Sequence, residues 1–349
     1  QFNLKSSLKS FSSKSKSISY TKKIDKFVVQ SFASEEDTQG YRENSKFESD
    51  IFNFDISFLK DPTTRYFAKL NYSEQLTEIP GNITLTDFYT RPRYSRTPED
   101  FGTEKVNAIS IGSQNILDSG NKFSNVFKFE DKDQTTSALS GGRYILAKTN
   151  LETATLSSKL TKKQRFNNLD LKSKLGIDFF NSSYRAIGND WYQVKYHNIA
   201  SQNIIEPFGI FEFNHSSNEK IDSEIGFRYH YYELDTDNYT TKTSLSSDDR
   251  QNYAWSLGAN YNLQNGQKLF THVSRAYRSP RLDEIISLIM PSPSHTHIKH
   301  QYSNDIELGY EVNVERKRYK ASIFRTLIKN QIYLNQTTLN NENFDPSIH

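Results

Sequence analysis

Three histidines fall close together, His295, His297 and His300 in PSPSHTHIKHQ. Imidazoles at this spacing are able to ligate a transition metal or a haem iron. The same spacing suits a polar loop with three solvated rings, and the nearest acids, Asp305 and Glu307, belong to the next stretch of alternating residues. A second group lies in EQLTEIPGNITLTDFYTRPRYSRTPEDFGTEK, residues 74–105, where Arg91, Arg93, Tyr94 and Arg96 stand beside Phe88, Tyr89 and Phe101. Arginine next to aromatic rings suits an anionic chelate with flat or catecholate groups, through paired hydrogen bonds and stacking. Ordinary packing of a long loop uses the same residues. A third group is LFTHVSRAYRSPRLDEI, residues 269–285, in which Arg278 and Arg281 flank a Ser-Pro break. Arg278 there has two readings: it meets a ligand, or it braces the loop against its support.

Other chemistry finds little purchase. No glycine-rich dinucleotide loop, phosphate loop, nucleophile elbow, paired-histidine zinc motif or EF-hand is present. Acids are plentiful, but nothing singles out a glycosidase-type pair. A hydrolase of the outer-membrane phospholipase or protease kind would need a convergent Ser/His/acid set, with His272 and His297 the residues to test, and no such set is legible. With no cysteine there is neither a disulfide framework nor a thiolate site. A net charge of +3 with both signs intermixed gives no basic stripe for a nucleic acid. Nothing calls for an enzyme or a resident cofactor.

The elements that must hold these loops are strands. Only 35% of the 349 residues are hydrophobic, yet 13% are aromatic, with 21 Tyr and 24 Phe. This balance suits pleated surfaces with one apolar and one wet face. From 221 to 231 the odd positions are Ile221, Ser223, Ile225, Phe227, Tyr229 and Tyr231, alternating with Asp222, Glu224, Gly226, Arg228 and His230. Tyr253 to Leu263 repeats the pattern, and Asn265-Gly266 then supplies the pair that favours a hairpin turn. Extended along the chain, the pattern predicts about fourteen strands, near 15–21, 25–33, 45–58, 66–73, 106–113, 122–130, 150–160, 168–180, 206–213, 221–233, 253–263, 268–277, 305–314 and 319–329. Short connections alternate with long ones near 74–105, 131–149, 181–205, 234–252 and 278–304. An outer-membrane barrel has this rhythm, with its short turns at one rim and long loops at the other. The longest apolar run, near Ile285 to Met290, is far short of the ~20 residues that a spanning helix needs. The start, QFNLKSSLKSFSSKSKS, lacks a signal-peptide pattern and reads as the interior of a longer protein. The expected fold is therefore all-β, an antiparallel transmembrane β-barrel, with residues 1–349 forming one partial barrel domain.

Five segments, in order, carry a family resemblance. Tyr277-Arg278-Ser279-Pro280 followed by Glu284-Ile285 resembles the Phe-Arg-x-Pro and acid-aliphatic signature of TonB-dependent outer-membrane receptors, with Tyr in place of Phe. Gly40-Tyr41-Arg42-Glu43-Asn44 resembles the family's Asp-Gly-Tyr-Arg-x-Asn loop. Ile79-Pro80-Gly81-Asn82-Ile83-Thr84 with Arg91-Pro92-Arg93 resembles its Pro-Gly-x-Leu-Thr loop, seen especially in iron-complex receptors. Gly226-Phe227-Arg228-Tyr229 and Ser303 to Tyr310 resemble two of its strands, Gly-x-Arg-Tyr and Ser-x-x-x-Glu-x-Gly.

The resemblance implies a plugged barrel of about 22 strands, of which these are strands two to fifteen. A plug, a TonB-contacting box and the first strand would precede Gln1, and about seven strands would follow His349. It implies a receptor in the outer membrane of a Gram-negative bacterium, embedded in lipid, that binds a ferric chelate such as a siderophore. The TonB-ExbB-ExbD complex, acting through the plug, would drive import. The residues placed to meet ligand are Arg91, Arg93, Tyr94, Arg96, Arg278, Arg281, His295 and His297. Haem receptors of the family pair the Arg-x-Pro box with Asn-Pro-Asn-Leu and place a His between; His295 and His297 lie in that interval, but IKHQYS stands where the second box would be, so a haem receptor is an alternative that is not favoured. Cobalamin has no specific residue behind it. A passive porin-like channel is the competing reading from another class.

Overall fold

The structure, a computed structural model, describes residues 1–140, 143–189, 195–215, 220–238, 243–246, 250–263, 266–285, 298–314, 317–335 and 340–343. Its strands are β1 (Phe2–Lys9), β2 (Ser13–Ile24), β3 (Phe27–Thr38), β4 (Phe47–Asp61), β5 (Thr64–Glu78), β6 (Phe101–Ile116), β7 (Lys122–Ser140), β8 (Arg143–Phe166), β9 (Leu169–Asn189), β10 (Lys195–His215), β11 (Ile221–Asn238), β12 (Thr243–Ser246), β13 (Arg250–Asn262), β14 (Gln267–Arg278), β15 (Gln301–Val314), β16 (Lys317–Lys329), β17 (Ile332–Asn335) and β18 (Asn340–Asn343). Among the described residues two helices, α1 (Leu85–Thr90) and α2 (Leu282–Ile285), sit in long connections. β1 to β11 and β13 to β16 form one antiparallel sheet in unbroken order, with β12 paired to β11 off the path and β17–β18 a separate hairpin. Among the described residues β1 and β16 are its two edges.

Alternation decides which face each side chain takes. Ile111, Phe127, Leu156, Phe179 and Ile205 lie directly opposite one another across β6 to β10. Each is between 37% and 49% exposed. Side chains in register share a face, so these five form an apolar belt on the outside of the sheet. The other face is wet. Lys172 and Lys174 on β9 both reach Glu212 on β10, at 2.8 and 2.5 Å, and Lys69 on β5 reaches Asp55 on β4 at 3.3 Å. Ion pairs within and apolar residues without invert the pattern of a soluble protein, as a membrane barrel requires.

The short turns gather at one rim. Asp25 and Asn167 hold positive φ of 50° and 46° in two-residue turns, and Gly266 holds 72° where the Asn-Gly turn is expected. Asn265 itself lies outside the described residues. Asp61 accepts from the Thr63 amide at 2.9 Å and its hydroxyl at 2.6 Å, closing the β4–β5 turn. At the same rim Phe27, Phe58 and Tyr66 form a row of rings on three strands, with centroids 5.1 and 6.5 Å apart. Membrane barrels carry girdles of aromatic residues near their rims.

All fourteen expected strands form, and two expectations need correction. Residues 1–9, read as preceding the first strand present, contain β1, paired with β2 from Phe2↔Tyr20 to Lys9↔Ser13. The connections expected near 131–149 and 181–205 are largely strand: β7 runs on to Ser140, β8 starts at Arg143, β9 reaches Asn189 and β10 starts at Lys195. A strand needs only 9–11 residues to cross a bilayer, whereas β8 has 24, about 80 Å of extended chain. Above the belt the outer face turns polar, as at Lys148 and Arg185, and the inner face buries Tyr184, Ala186 and Tyr196, but the hydrogen-bonded ladder continues. The periodicity therefore marked the zone of the apolar belt and missed the sheet above it.

Candidate functional site

The long connections are organised in two places. The first joins residues 39–46, between β3 and β4, to residues 79–100, between β5 and β6. Arg42 donates from Nη1 to the Gly81 carbonyl at 2.6 Å and from Nη2 to Pro80 O at 3.1 Å. To Tyr94 O it donates from Nη2 at 2.8 Å and Nε at 3.2 Å. The Asn44 amide donates to Ile79 O, Thr97 O and Asp100 O at 3.1, 2.6 and 2.9 Å. Backbone closes the unit, with Glu43 N donating to Arg93 O at 2.7 Å. Gly81 has φ +65°, and a Cβ there would lie 2.8 Å from Thr97 Oγ1, so the Pro-Gly pair is demanded twice, by conformation and by space. Arg42, Asn44, Pro80 and Gly81, all within resembling motifs, thus act as one clamp that fixes the shape of the longer connection.

On that clamp stand four of the expected ligand residues. Thr84 caps α1, its hydroxyl accepting from Asp87 N at 3.1 Å and donating to the Asp87 carboxylate at 2.8 Å. Arg91 pairs with Asp87 at 2.6 Å and lays its guanidinium 3.8 Å from the centre of the Tyr94 ring. The Arg91 hydrogen bond, aided by Thr84, holds the Asp87 carboxyl below its ordinary value. Arg93 lies over the Tyr41 ring at 5.5 Å. Arg96 is exposed, and among the described residues no side chain holds its guanidinium. Leu85, Phe88 and Tyr89 project from α1 into solvent, 73%, 57% and 75% exposed. The arrangement offers oriented cations beside accessible rings.

The second place is a polar network on the inner wall that the sequence did not reveal. Glu206 on β10 accepts from Arg228 Nη1 at 2.5 Å and from Tyr277 Oη at 2.8 Å, and its Oε1 lies 2.7 Å from His230 Nδ1. Arg228 also reaches Asp178 on β9 at 3.0 Å. The other imidazole nitrogen lies 2.9 Å from Ser279 Oγ, and His230 is 2% exposed. Pro207 follows Glu206, and β10–β11 pairing lapses there between Ile205↔Tyr231 and Phe208↔Arg228. Proline brings no N–H to a ladder, so it belongs at such an interruption. Tyr277 lies on β14, two strands beyond β11, or about 14 Å from β10 on a flat sheet. Contact at this range requires the sheet to curl inward.

Beyond Tyr277 the chain folds over the wall. Arg278 grips Glu284 with both terminal nitrogens, one at 2.9 Å, and Arg281 N donates to Glu284 at 2.9 Å. Leu282 and Ile285 are buried with Tyr184, Ala186, Tyr196 and Tyr232. Of the two readings of Arg278, the geometry is that of a brace. Arg281 is exposed, paired with Asp283 at 3.2 Å. His295 and His297 lie outside the described residues. His300 stands edge-on to Tyr232 and His230, with centroids 5.1 and 5.7 Å away. The arginines around Tyr94 and those after β14 belong to separate connections, and no contact between them is seen among the described residues.

A family model described as "TonB dependent receptor-like, beta-barrel" matches residues 16–346. The chain belongs to the TonB-dependent receptor family. Solved structures share the fold of this TonB-dependent receptor. The unliganded ferric citrate transporter FecA superposes with a TM-score of 0.81 at 14% identity over 95% of this chain and 51% of its own. The closed ferric-catecholate import receptor Fiu from E. coli K12 gives 0.77 at 13%, over 98% and 60%. The ferric yersiniabactin uptake receptor FyuA from Yersinia pestis gives 0.75 at 10%, over 94% and 54%. The chain thus spans about half to three fifths of these receptors. No curated protein sequence matches it. The family's barrels stand in the outer membrane, and its members are receptors and transporters rather than enzymes. In outer-membrane barrels the rim with the long connections is the outer end.

Sequence reasoning missed Glu206, His230, Tyr277 and Asp178 as a group because they lie on four strands. One signal was available: a proline inside an otherwise regular strand, beside an inward-facing acid.

Proposed function

We propose that the intact protein binds a ferric chelate, a siderophore or related iron complex, at its outer end. It then passes the chelate inward with energy from the TonB-ExbB-ExbD complex, acting through a plug domain. The outer membrane of a Gram-negative bacterium is its site of action, with the belt of Phe127, Leu156, Phe179 and Ile205 in lipid. The observation that carries this reading is the Arg91, Arg93, Tyr94 and Arg96 surface, held in one conformation by Arg42 and Asn44. A preorganised cation-aromatic surface loses little entropy on binding. Guanidinium groups over rings favour anions with flat oxygen-bearing groups. The fold alone does not choose the metal, since the copper transporter OprC shares it at a TM-score of 0.78.

The test is binding to the purified full-length protein, using ferric citrate, a ferric tris-catecholate and haem as probes. The ferric chelates are expected to bind and haem is not. Replacing Arg91, Arg93 and Arg96 together by Ala removes three solvent-accessible cations worth roughly 0.5–1 kcal/mol each, so affinity is expected to fall on the order of tenfold to a hundredfold. Unchanged affinity in the triple variant would remove this surface from the site. Failure of every chelate to bind, with open conductance of small ions in planar bilayers, would favour a passive channel.

A further inference from the structure

Glu206, His230 and Ser279 stand in the order acid, imidazole, hydroxyl, with contacts of 2.7 and 2.9 Å. Hydrolases use this order, but two features argue for another role. The residue after Ser279 is Pro280, whose missing N–H cannot help to hold an oxyanion. The Glu206 charge is already shared with Arg228 and the Tyr277 hydroxyl. What the three residues join is the wall to an outer connection. Glu206 and His230 sit on neighbouring strands, and Ser279 is the first residue after β14.

The tautomer follows from the partners. A carboxylate only accepts, so His230 Nδ1 carries a proton towards Glu206, and Nε2 of the neutral ring accepts from the Ser279 hydroxyl. If the ring gains a proton, Nε2–H donates to the same hydroxyl and Glu206 still accepts. Both forms of His230 therefore hold both ends. The groups facing it are Glu206 from β10, Tyr232 from β11, Tyr277 at the end of β14, Ser279 and His300, with Arg228 from β11 on the other oxygen of Glu206. Past Ser279, Pro280 is buried and Leu282 and Ile285 pack onto the wall.

We propose that His230 is a positioning residue, a two-ended bracket that pins Ser279–Ile285 to the inner wall and so fixes where Arg281 stands at the outer mouth. The bracket is a property of the fold and holds whether or not a ferric chelate is the cargo. The experiment places a nitroxide at Asp283→Cys in the full-length protein in detergent, the 349 residues being free of cysteine, and reads its mobility by electron paramagnetic resonance. The label is expected to be largely immobilised. Ser279→Ala removes one hydroxyl and is expected to raise the ratio of mobile to immobile label roughly fivefold, the size of one net hydrogen bond. Ser279→Thr keeps the hydroxyl and is expected to stay near wild type. His230→Ala is expected to raise mobility at least as much, with no further rise when Ser279→Ala is added. Ser279→Ala spectra identical to wild type, or additive effects in the double variant, would overturn the proposal. Should His230→Ala fail to insert, Ser279→Ala against Ser279→Thr still decides.

Discussion

Arg42→Ala gives the sharpest local test of how the outer end is built. Arg42 supplies four N–H contacts to three carbonyls, those of Pro80, Gly81 and Tyr94. Hydrogen bonds from a charged donor contribute about 1.5–3 kcal/mol each when shielded. Arg42 is only half-buried, so water will satisfy the freed carbonyls in part. About 1 kcal/mol per carbonyl is the fairer figure, about 3 kcal/mol in all, or roughly a 150-fold change in the ratio of docked to released connection. Hydrogen exchange followed by mass spectrometry reads this directly. Amides of residues 79–100 that the clamp orders, such as Arg96 N bonded to Pro80 O at 3.1 Å, are expected to exchange about two orders of magnitude faster. Those of the β9–β10 ladder are expected to be unchanged. Arg42→Lys, with one ammonium for three carbonyls, is expected to fall between. Exchange in residues 79–100 that matches wild type in Arg42→Ala would refute the clamp.

Other perturbations follow from the same geometry. Gly309 lies beneath the Phe270 ring, which a Cβ would overlap, so Gly309→Ala is expected to lower barrel stability by about 1–3 kcal/mol. Adding Phe270→Ala should recover part of it, and heat-modifiability on gels reads both. Arg278→Ala strands the buried Glu284 carboxylate and is expected to loosen α2 by about 2 kcal/mol or more, and Arg278→Ala with Glu284→Ala is expected to loosen it less. The exchange of residues 282–285 checks this. The Asp87 carboxyl is held below its ordinary value of 3.8, so its contribution to the α1 cap is complete above that value and lost as pH falls through the lower folded value. Fraying of residues 84–91 is therefore expected to set in as pH falls below 3.8 and to be absent at pH 6, and Asp87→Asn should abolish that pH dependence of exchange.

What the sequence disclosed and what it hid divide along physical lines. A wall with one apolar and one wet face demands strict alternation, so Ile225, Phe227 and Tyr229 against Arg228 and His230 announced both the strand and its two faces. The Gly-Tyr-Arg-x-Asn and Pro-Gly segments stood out because each side chain reads specific carbonyls, which leaves little choice of residue. By contrast, the outer face of the upper reaches of β7 to β10 carries exposed polar residues such as Asp133, Lys148 and Arg185, while Tyr184, Ala186 and Tyr196 are buried on the inner face, so the apolar and polar faces no longer sit as they do in the belt below. The Glu206 network was illegible for another reason. Tyr277 and Glu206 are 71 residues apart, and only the curl of the sheet brings them together. Arg278 shows the limit of motif reading, since a residue inside a diagnostic box turned out to grip its own loop.

Uptake in living cells tests the central claim most directly. Iron-55 presented as a ferric chelate that binds the purified protein should accumulate in iron-starved cells carrying the intact gene. It should fall to background when the gene is deleted, and return with the wild-type gene but only weakly with the Arg91, Arg93 and Arg96 triple alanine variant. Accumulation of every such chelate at the same rate with and without the gene would contradict it.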